Sequence, residues 1–235
     1  MLARVSGFST SNLSFWTFFS GSDTTSTAVE WAMAELLRNG DVLAKVRMEM
    51  AESMGGRGRG AAVSEADVGG LPYLQAVVKE TQRLHPPPVP FLIPHRAEAA
   101  VELGGYTPPK HAQLIINAAD GHVWENPTAF VPERFLDSHI HHIDSRGRHF
   151  DFIPFGAGRR ICPAMSLPNR VVPFILASLL HFFDLRLPVG GDAGVFAHGR
   201  QVRNHLASGR SSACYPLPPW GSMTDLKSHN KTIEW

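Results

Sequence analysis

The sequence predicts a mainly α-helical chain with a small β-rich lobe, and three patterns carry that prediction. Apolar residues recur at helical spacing near residues 15–54, 72–84 and 170–183. Between 89 and 116, proline and glycine cut the chain into short apolar runs suited to strands and turns. From 127 to 151, Pro, Asp, His and Gly dominate without a period, which predicts loop.

The first strong period covers Phe15 to Met50. Val29, Met33, Leu36 and Leu37 share one face, with Glu30, Glu35 and Arg38 elsewhere. Asn39-Gly40 is a C-cap signal, and Asp41 is placed to cap a second helix, Val42–Met54. Val42, Val46 and Met50 are in register on it. Gly55 to Gly60 predicts a flexible loop, and Ser64-Glu65 opens a short acidic connector. Pro72 suits the first turn of a helix that carries Leu74, Val77, Val78, Thr81 and Leu84 inward. Pro86-Pro87-Pro88 must end it. Strands are expected at Val89–Ile93, Val101–Leu103 and Gln113–Ile116, with a turn at Gly104-Gly105. Arg170–Phe183 is an apolar helix; Pro168 interrupts its approach and Pro173 introduces a kink. Past Pro188 no period survives.

Composition excludes several classes. With 43% hydrophobic and 18% charged residues, the chain is an ordinary globular sequence able to bury one large core or two small ones. A formal charge of +1 argues against general nucleic-acid binding. Two cysteines, Cys162 and Cys214, make no disulfide framework, so a reducing compartment fits. Leu13 to Phe19 is too short an apolar run to span a bilayer, and no transmembrane anchor or clear signal peptide is expected in this chain.

Chemistry concentrates in Phe155-Gly156-Ala157-Gly158-Arg159-Arg160-Ile161-Cys162-Pro163-Ala164. A glycine-rich, arginine-flanked loop presents a lone thiol just ahead of an apolar helix. Glycines let backbone approach a flat macrocycle closely, and Arg160 can offer its planar fork to a carboxylate. A thiolate held so can ligate haem iron from one side and favour cleavage of a bound O–O bond. A helix start behind it would favour the anion. The alternative is a buried structural cysteine after a Gly-rich turn.

Glu80 and Arg83 lie three apart on a helix, either as an exposed ion pair or as a buried one next to the proline stop. Ser20-Gly21-Ser22-Asp23-Thr24-Thr25 is poor in helix formers. It predicts either a helix start capped by Ser22 or Asp23, or a local opening over a ligand, with Thr24 holding a water and Asp23 relaying protons. His139, His141 and His142, with His149 nearby, lack paired cysteines or carboxylates at zinc spacing and predict a solvated loop.

The spacing Phe155-x-x-Gly158-x-Arg160-x-Cys162 resembles the haem-binding loop of the cytochrome P450 family. Glu80-x-x-Arg83 and Pro132-Glu133-Arg134-Phe135 resemble that family's buried Glu-Arg pair and its third partner, in the expected order. Ser20-to-Thr25 resembles its distal-helix motif, with Ser20 where Ala or Gly is usual. Glu30-to-Leu37 and Leu71-to-Glu80 resemble plant microsomal members that hydroxylate terpenoid and related small molecules.

The resemblance implies a partial cytochrome P450 fold: the C-terminal half, mainly α with a small β lobe, a haem-thiolate loop before a helix, and haem b as cofactor. It divides the chain into a divergent segment 1–14, a family domain 15–188, and a divergent, irregular tail 189–235. It implies that Cys162 ligates iron, that Arg160 and His95 bind propionates, and that Phe155 packs beside the sulfur. Asp23 and Thr24 would deliver protons, while Glu80, Arg83 and Arg134 brace the proximal side. The implied reaction inserts one oxygen atom from O2 into a small apolar substrate, with electrons from an NADPH-dependent reductase. Full-length relatives would face the cytosol from the endoplasmic reticulum.

Three departures stand beside the resemblance. Ala164 replaces a glycine, Ala118 to Val123 replaces a usual Trp and Arg-Asp-Pro, and the chain is about half the usual family length. A shortened chain with impaired turnover is the leading expectation. A non-catalytic interaction protein and an unstable gene-model fragment are the alternatives.

Overall fold

A computed structural model describes residues 10–54, 61–87, 95–116, 123–137, 143–186 and 232–234. The expected loop 55–60, the strand Val89–Ile93, the segment 118–122, the histidines 139–142, Cys214 and nearly all of the tail lie outside the described residues. Five helices are described: α1 Thr10–Arg38, α2 Gly40–Ser53, α3 Glu65–Gly69, α4 Pro72–Leu84 and α5 Ser166–Phe182. Short strands are β1 His95–Arg96, β2 Gln113–Leu114, β3 Asp184–Arg186 and β4 Thr232–Glu234, and 3-10 turns lie at Pro132–Phe135 and Gly158–Arg160. The architecture is therefore mainly α with small sheets. Among the described residues no helix is long and apolar enough to cross a membrane.

The chain divides into two compact units. One comprises residues 1–32 and 72–173, the other 33–71 and 174–235. In the first, α4 is the central element. Tyr73, Leu74, Ala76, Val77, Val78, Glu80, Thr81, Gln82 and Arg83 are all buried on it, more than one face of a surface helix would give. Ala76, Trp124, Phe135, Ile143 and Phe152 form a core cluster. Phe135 lies 5.1 Å from Phe152 and 5.5 Å from Trp124, ring centre to ring centre, in tilted packings that aromatic quadrupoles favour.

The β lobe belongs to the same unit. β1 pairs antiparallel with β2, His95 opposite Leu114 and Arg96 opposite Gln113. His95 itself lies on β1. Leu103 and Tyr106 exchange hydrogen bonds of 2.7 and 3.1 Å around Gly104 and Gly105, at φ 57° and 82°. Two positive φ values in a two-residue turn suit the twist of a hairpin, which explains the glycine pair.

In the second unit α2 buries Val42, Leu43, Val46 and Met50. Asn39, not Asp41, is the N-cap. Its side-chain amide donates back to the Glu35 carbonyl at 2.8 Å, so one residue closes α1 and opens α2. Asp41 falls in the first turn, where the helix dipole still favours its charge. The expected acidic connector is a one-turn helix, α3, with a capping box: Ser64 N–H donates to Asp67 at 2.7 Å and Asp67 N–H to Ser64 Oγ at 3.3 Å. Leu176, Ala177 and Leu185 are fully buried or nearly so. β3 pairs in parallel with β4, which lies in the tail expected to be irregular, and Arg47 forms an ion pair with Asp184 at 2.8 Å.

α5 starts at Ser166, earlier than the sequence predicts. Pro168 thus sits in the first turn, where its missing N–H has no helical acceptor to lose, and it does not interrupt the helix. Pro173 lies inside α5.

Candidate functional site

Backbone geometry sets the cysteine loop. Gly156 and Gly158 adopt φ 77° and 65°, in the left-handed region that glycine enters without a Cβ penalty. Gly156 N–H donates to Ile153 O at 2.9 Å, and Ile161 N–H closes the 3-10 turn on Gly158 O at 3.2 Å. Cys162 N–H donates to Phe155 O at 2.9 Å, which folds the loop back on itself and brings the thiol residue next to Phe155. Cys162 and Phe155 are half-buried; Arg159 and Arg160 are exposed. A Cβ built on Gly158 would have no atom within 4 Å, so the loop is open on that side. Cys162 is a free cysteine. The turn Pro163–Met165 separates it from α5. A helix dipole acts mainly within the first turn, so the expected contribution of α5 to the thiolate is weakened and the loop's own amides matter more.

The same unit holds a buried charge network. Glu80 is fully buried on α4. Its carboxylate accepts from Arg83 Nε at 2.7 Å and Nη2 at 2.9 Å, from Arg134 Nε at 3.1 Å and from Val131 N–H at 2.9 Å. Arg83 also donates to Pro127 O at 2.8 Å and Ala129 O at 3.2 Å; Arg134 donates to Glu125 O at 2.9 Å. The pair is therefore not an exposed i,i+3 contact. One carboxylate satisfies two guanidiniums whose remaining donors hold backbone carbonyls of 125–129, an arrangement that offsets the cost of burying three charges.

No local pattern singles out Trp124. Its ring lies 5.6 Å from both the Arg83 and the Arg134 guanidinium carbons, and its Nε1–H donates to Asp151 O at 3.2 Å. A polarisable face toward two cations adds to the network. Tyr73 was also missed; its hydroxyl donates to Glu133 at 2.7 Å and fixes the 3-10 turn that carries Arg134. Tyr73 and Glu133 lie 60 residues apart, and the partners of Trp124 lie on other segments, so no local spacing announces either.

The other predicted residues are placed separately. Asp23 is exposed and Thr24 half-buried on α1. α1 runs unbroken through this stretch, so it is neither a helix start nor an opening. The hydroxyls find partners inside the helix: Thr25, Ser26 and Thr27 donate to the carbonyls of Gly21, Ser22 and Asp23 at 2.6, 2.9 and 3.0 Å. These residues are weak helix formers, yet each such bond satisfies its hydroxyl within the helix. Burial, and secondarily the charge of Asp23, push the Glu30 carboxyl above its ordinary value. His95 is half-buried on β1. His149 is the described member of the histidine group, and among the described residues no cluster of three or more His, Cys, Asp or Glu could hold a metal ion.

Comparison with known proteins places this geometry. The cytochrome P450 family model matches residues 10–200. Cytochrome P450 76T24 of Catharanthus roseus is 52% identical over 177 residues, 74% of this chain and 34% of that protein. Geraniol 8-hydroxylase of the same plant is 49% identical over 74% of this chain and 34% of its own length. Oryzalexin E synthase of Oryza sativa subsp. japonica is 50% identical over 76% of this chain and 36% of its own. A zebra fish cytochrome P450 solved with abiraterone superposes with a TM-score of 0.60 at 32% identity, over 70% of this chain and 38% of that one. The matches thus span about a third of the curated relatives' length. A half-buried cysteine on a doubly left-handed glycine loop and a buried Glu80 network in the same unit agree with the match: the chain belongs to the cytochrome P450 family.

Proposed function

We propose that this chain provides the proximal side of a haem-thiolate monooxygenase site, with Cys162 as the axial ligand. The observation that carries the reading is the cysteine loop. Its thiol is free and half-buried, Cys162 N–H is fixed on Phe155 O at 2.9 Å, and the backbone at Gly158 is open. A soft donor on a loop with an unobstructed face fits haem b. Arg160, exposed beside it, and His95 on β1 are the residues proposed to bind the propionates. Phe155 packs beside the sulfur and limits water there. Bound haem supplies the activation of dioxygen; the protein holds and tunes it.

On α1, Asp23 and Thr24 are the proposed proton-delivery pair. The electron source proposed is an NADPH-dependent reductase. The proposed substrate is a small apolar molecule, a reading supported by relatives named for geraniol hydroxylation and oryzalexin synthesis. The cytosolic face of the endoplasmic reticulum is the proposed place of action.

The test is spectroscopic. The full chain is expressed with haem supplied, reduced and exposed to carbon monoxide. A strongly red-shifted Soret band that Cys162→Ala abolishes is expected. A haem-bound chain whose band is unchanged by Cys162→Ala would overturn the assignment.

A further inference from the structure

We propose that the turn Ile143–Arg148 is a strut that sets the position of the cysteine loop, and that Gly147 is its point of contact. The inference rests on the reading of Cys162 as the haem ligand. Gly147 has φ +70°, and a Cβ placed on it would lie 2.7 Å from Gly156 O, 2.9 Å from Ala157 Cα and 3.1 Å from Ala157 Cβ. Two of those are backbone atoms of the cysteine loop, which cannot swing aside as a side-chain tip can. Gly104 and Gly158 also have positive φ, 57° and 65°, but a Cβ there meets nothing within 4 Å. Conformation alone accounts for glycine at those positions. At Gly147 a close approach of backbone to backbone is required as well.

The turn is anchored at both sides of that contact. Ile143 is buried in the aromatic core cluster, and its carbonyl accepts from Lys79 Nζ on α4 at 3.2 Å. The Asp144 carboxylate accepts from Arg146 N–H at 3.1 Å and from the Arg148 guanidinium. Asn169, in the first turns of α5, donates to Ser145 Oγ at 2.9 Å. The strut therefore joins α4 and α5 and presses on Gly156-Ala157. Phe155 O, the acceptor for Cys162 N–H, belongs to the peptide that joins Phe155 to Gly156. Displacing Gly156 rotates that peptide and loosens the bond that orients Cys162. Gly147 is thus a positioning residue that acts through the loop.

The test uses the full chain carrying Cys214→Ser, so that Cys162 is the single thiol. Its alkylation by iodoacetamide is timed before haem is added, and the reduced carbon monoxide spectrum is recorded afterwards. Gly147→Ala is expected to speed alkylation by about threefold or more, because a loosened loop exposes the sulfur. Gly104→Ala, which carries the same conformational strain without the contact, is expected to leave the rate unchanged. In the haem-loaded chain Gly147→Ala is expected to move part of the Soret band away from the thiolate position with total haem retained. Should Gly147→Ala lose its cooperative melt, Asp144→Ala takes its place. It releases the turn while leaving the glycine intact and carries the same expected acceleration. A rate for the folded variant equal to that of Gly104→Ala would overturn the strut. The two readings fail separately: a Soret band insensitive to Cys162→Ala sinks the ligand assignment, whereas the alkylation rates decide the strut without haem.

Discussion

Replacing Glu80 by alanine tests the account of the buried network most directly. The carboxylate is wholly buried and accepts four hydrogen bonds, three of them from Arg83 and Arg134, whose side chains are only 6% and 9% exposed. Its loss leaves two guanidiniums facing each other across an empty site, without an anion and away from water. Breaking a buried pair from one side costs about 3–5 kcal/mol. With a urea dependence of about 2 kcal/mol per molar, the unfolding midpoint should fall by roughly 1.5–2.5 M. Equilibrium unfolding followed by far-ultraviolet circular dichroism measures this. Glu80→Gln separates charge from shape: it keeps the volume but turns an NH2 group toward donors, so it should lie between alanine and the parent. A midpoint shift for Glu80→Ala under about 0.3 M would refute the reasoning, because it would mean that water or another anion satisfies both arginines.

Two further outcomes follow from the same unit. Phe152→Ala, at a side chain 2% exposed and packed on Phe135, should destabilise by about 3–5 kcal/mol in the same unfolding assay, whereas an exposed Phe150→Ala should change little. Partial burial alone would raise the Asp144 carboxyl, but hydrogen bonds and charges from Arg148 and Arg146 outweigh it and hold the group below its ordinary value of 3.8. A depressed carboxyl contributes stability above the ordinary value and loses it as pH falls through the folded one. Asp144→Asn should therefore be less stable than the parent near neutral pH, and the difference should shrink as pH falls below the ordinary carboxyl value and through the lower folded one in a pH series of thermal melts.

Helices with local punctuation were legible in the sequence, and so was the order of the site. Pro72 and the run Pro86-Pro87 bound α4 within a residue or two of its observed ends. The Glu80-to-Arg83 spacing pointed to a pair because helix geometry makes i and i+3 neighbours. What the sequence did not disclose was set by distant partners or by competing local terms. α3 escaped notice because its box uses Asp67 where a longer Glu or Gln is the familiar signal. The polar stretch after Ser20 stays helical against its propensity, with the hydroxyls of Thr25, Ser26 and Thr27 satisfied by carbonyls one turn back. β3 and β4 pair across most of the tail, and only tertiary contact specifies such a partner. Gly147 is locally like any loop glycine, because the backbone that requires it belongs to Gly156 and Ala157.

Being enclosed on nearly every side gives α4 little tolerance for a change in chain length. Deleting one residue between Leu74 and Val78 would turn the remainder of the helix by about 100° about its axis. The Glu80 carboxylate would then stand in the place of Lys79, Thr81 would take its former place, and both guanidiniums would lose their anion together. In a solvent-lapped helix the same deletion could be absorbed by slippage toward water; here it should abolish folding of the whole unit, whatever residue is removed.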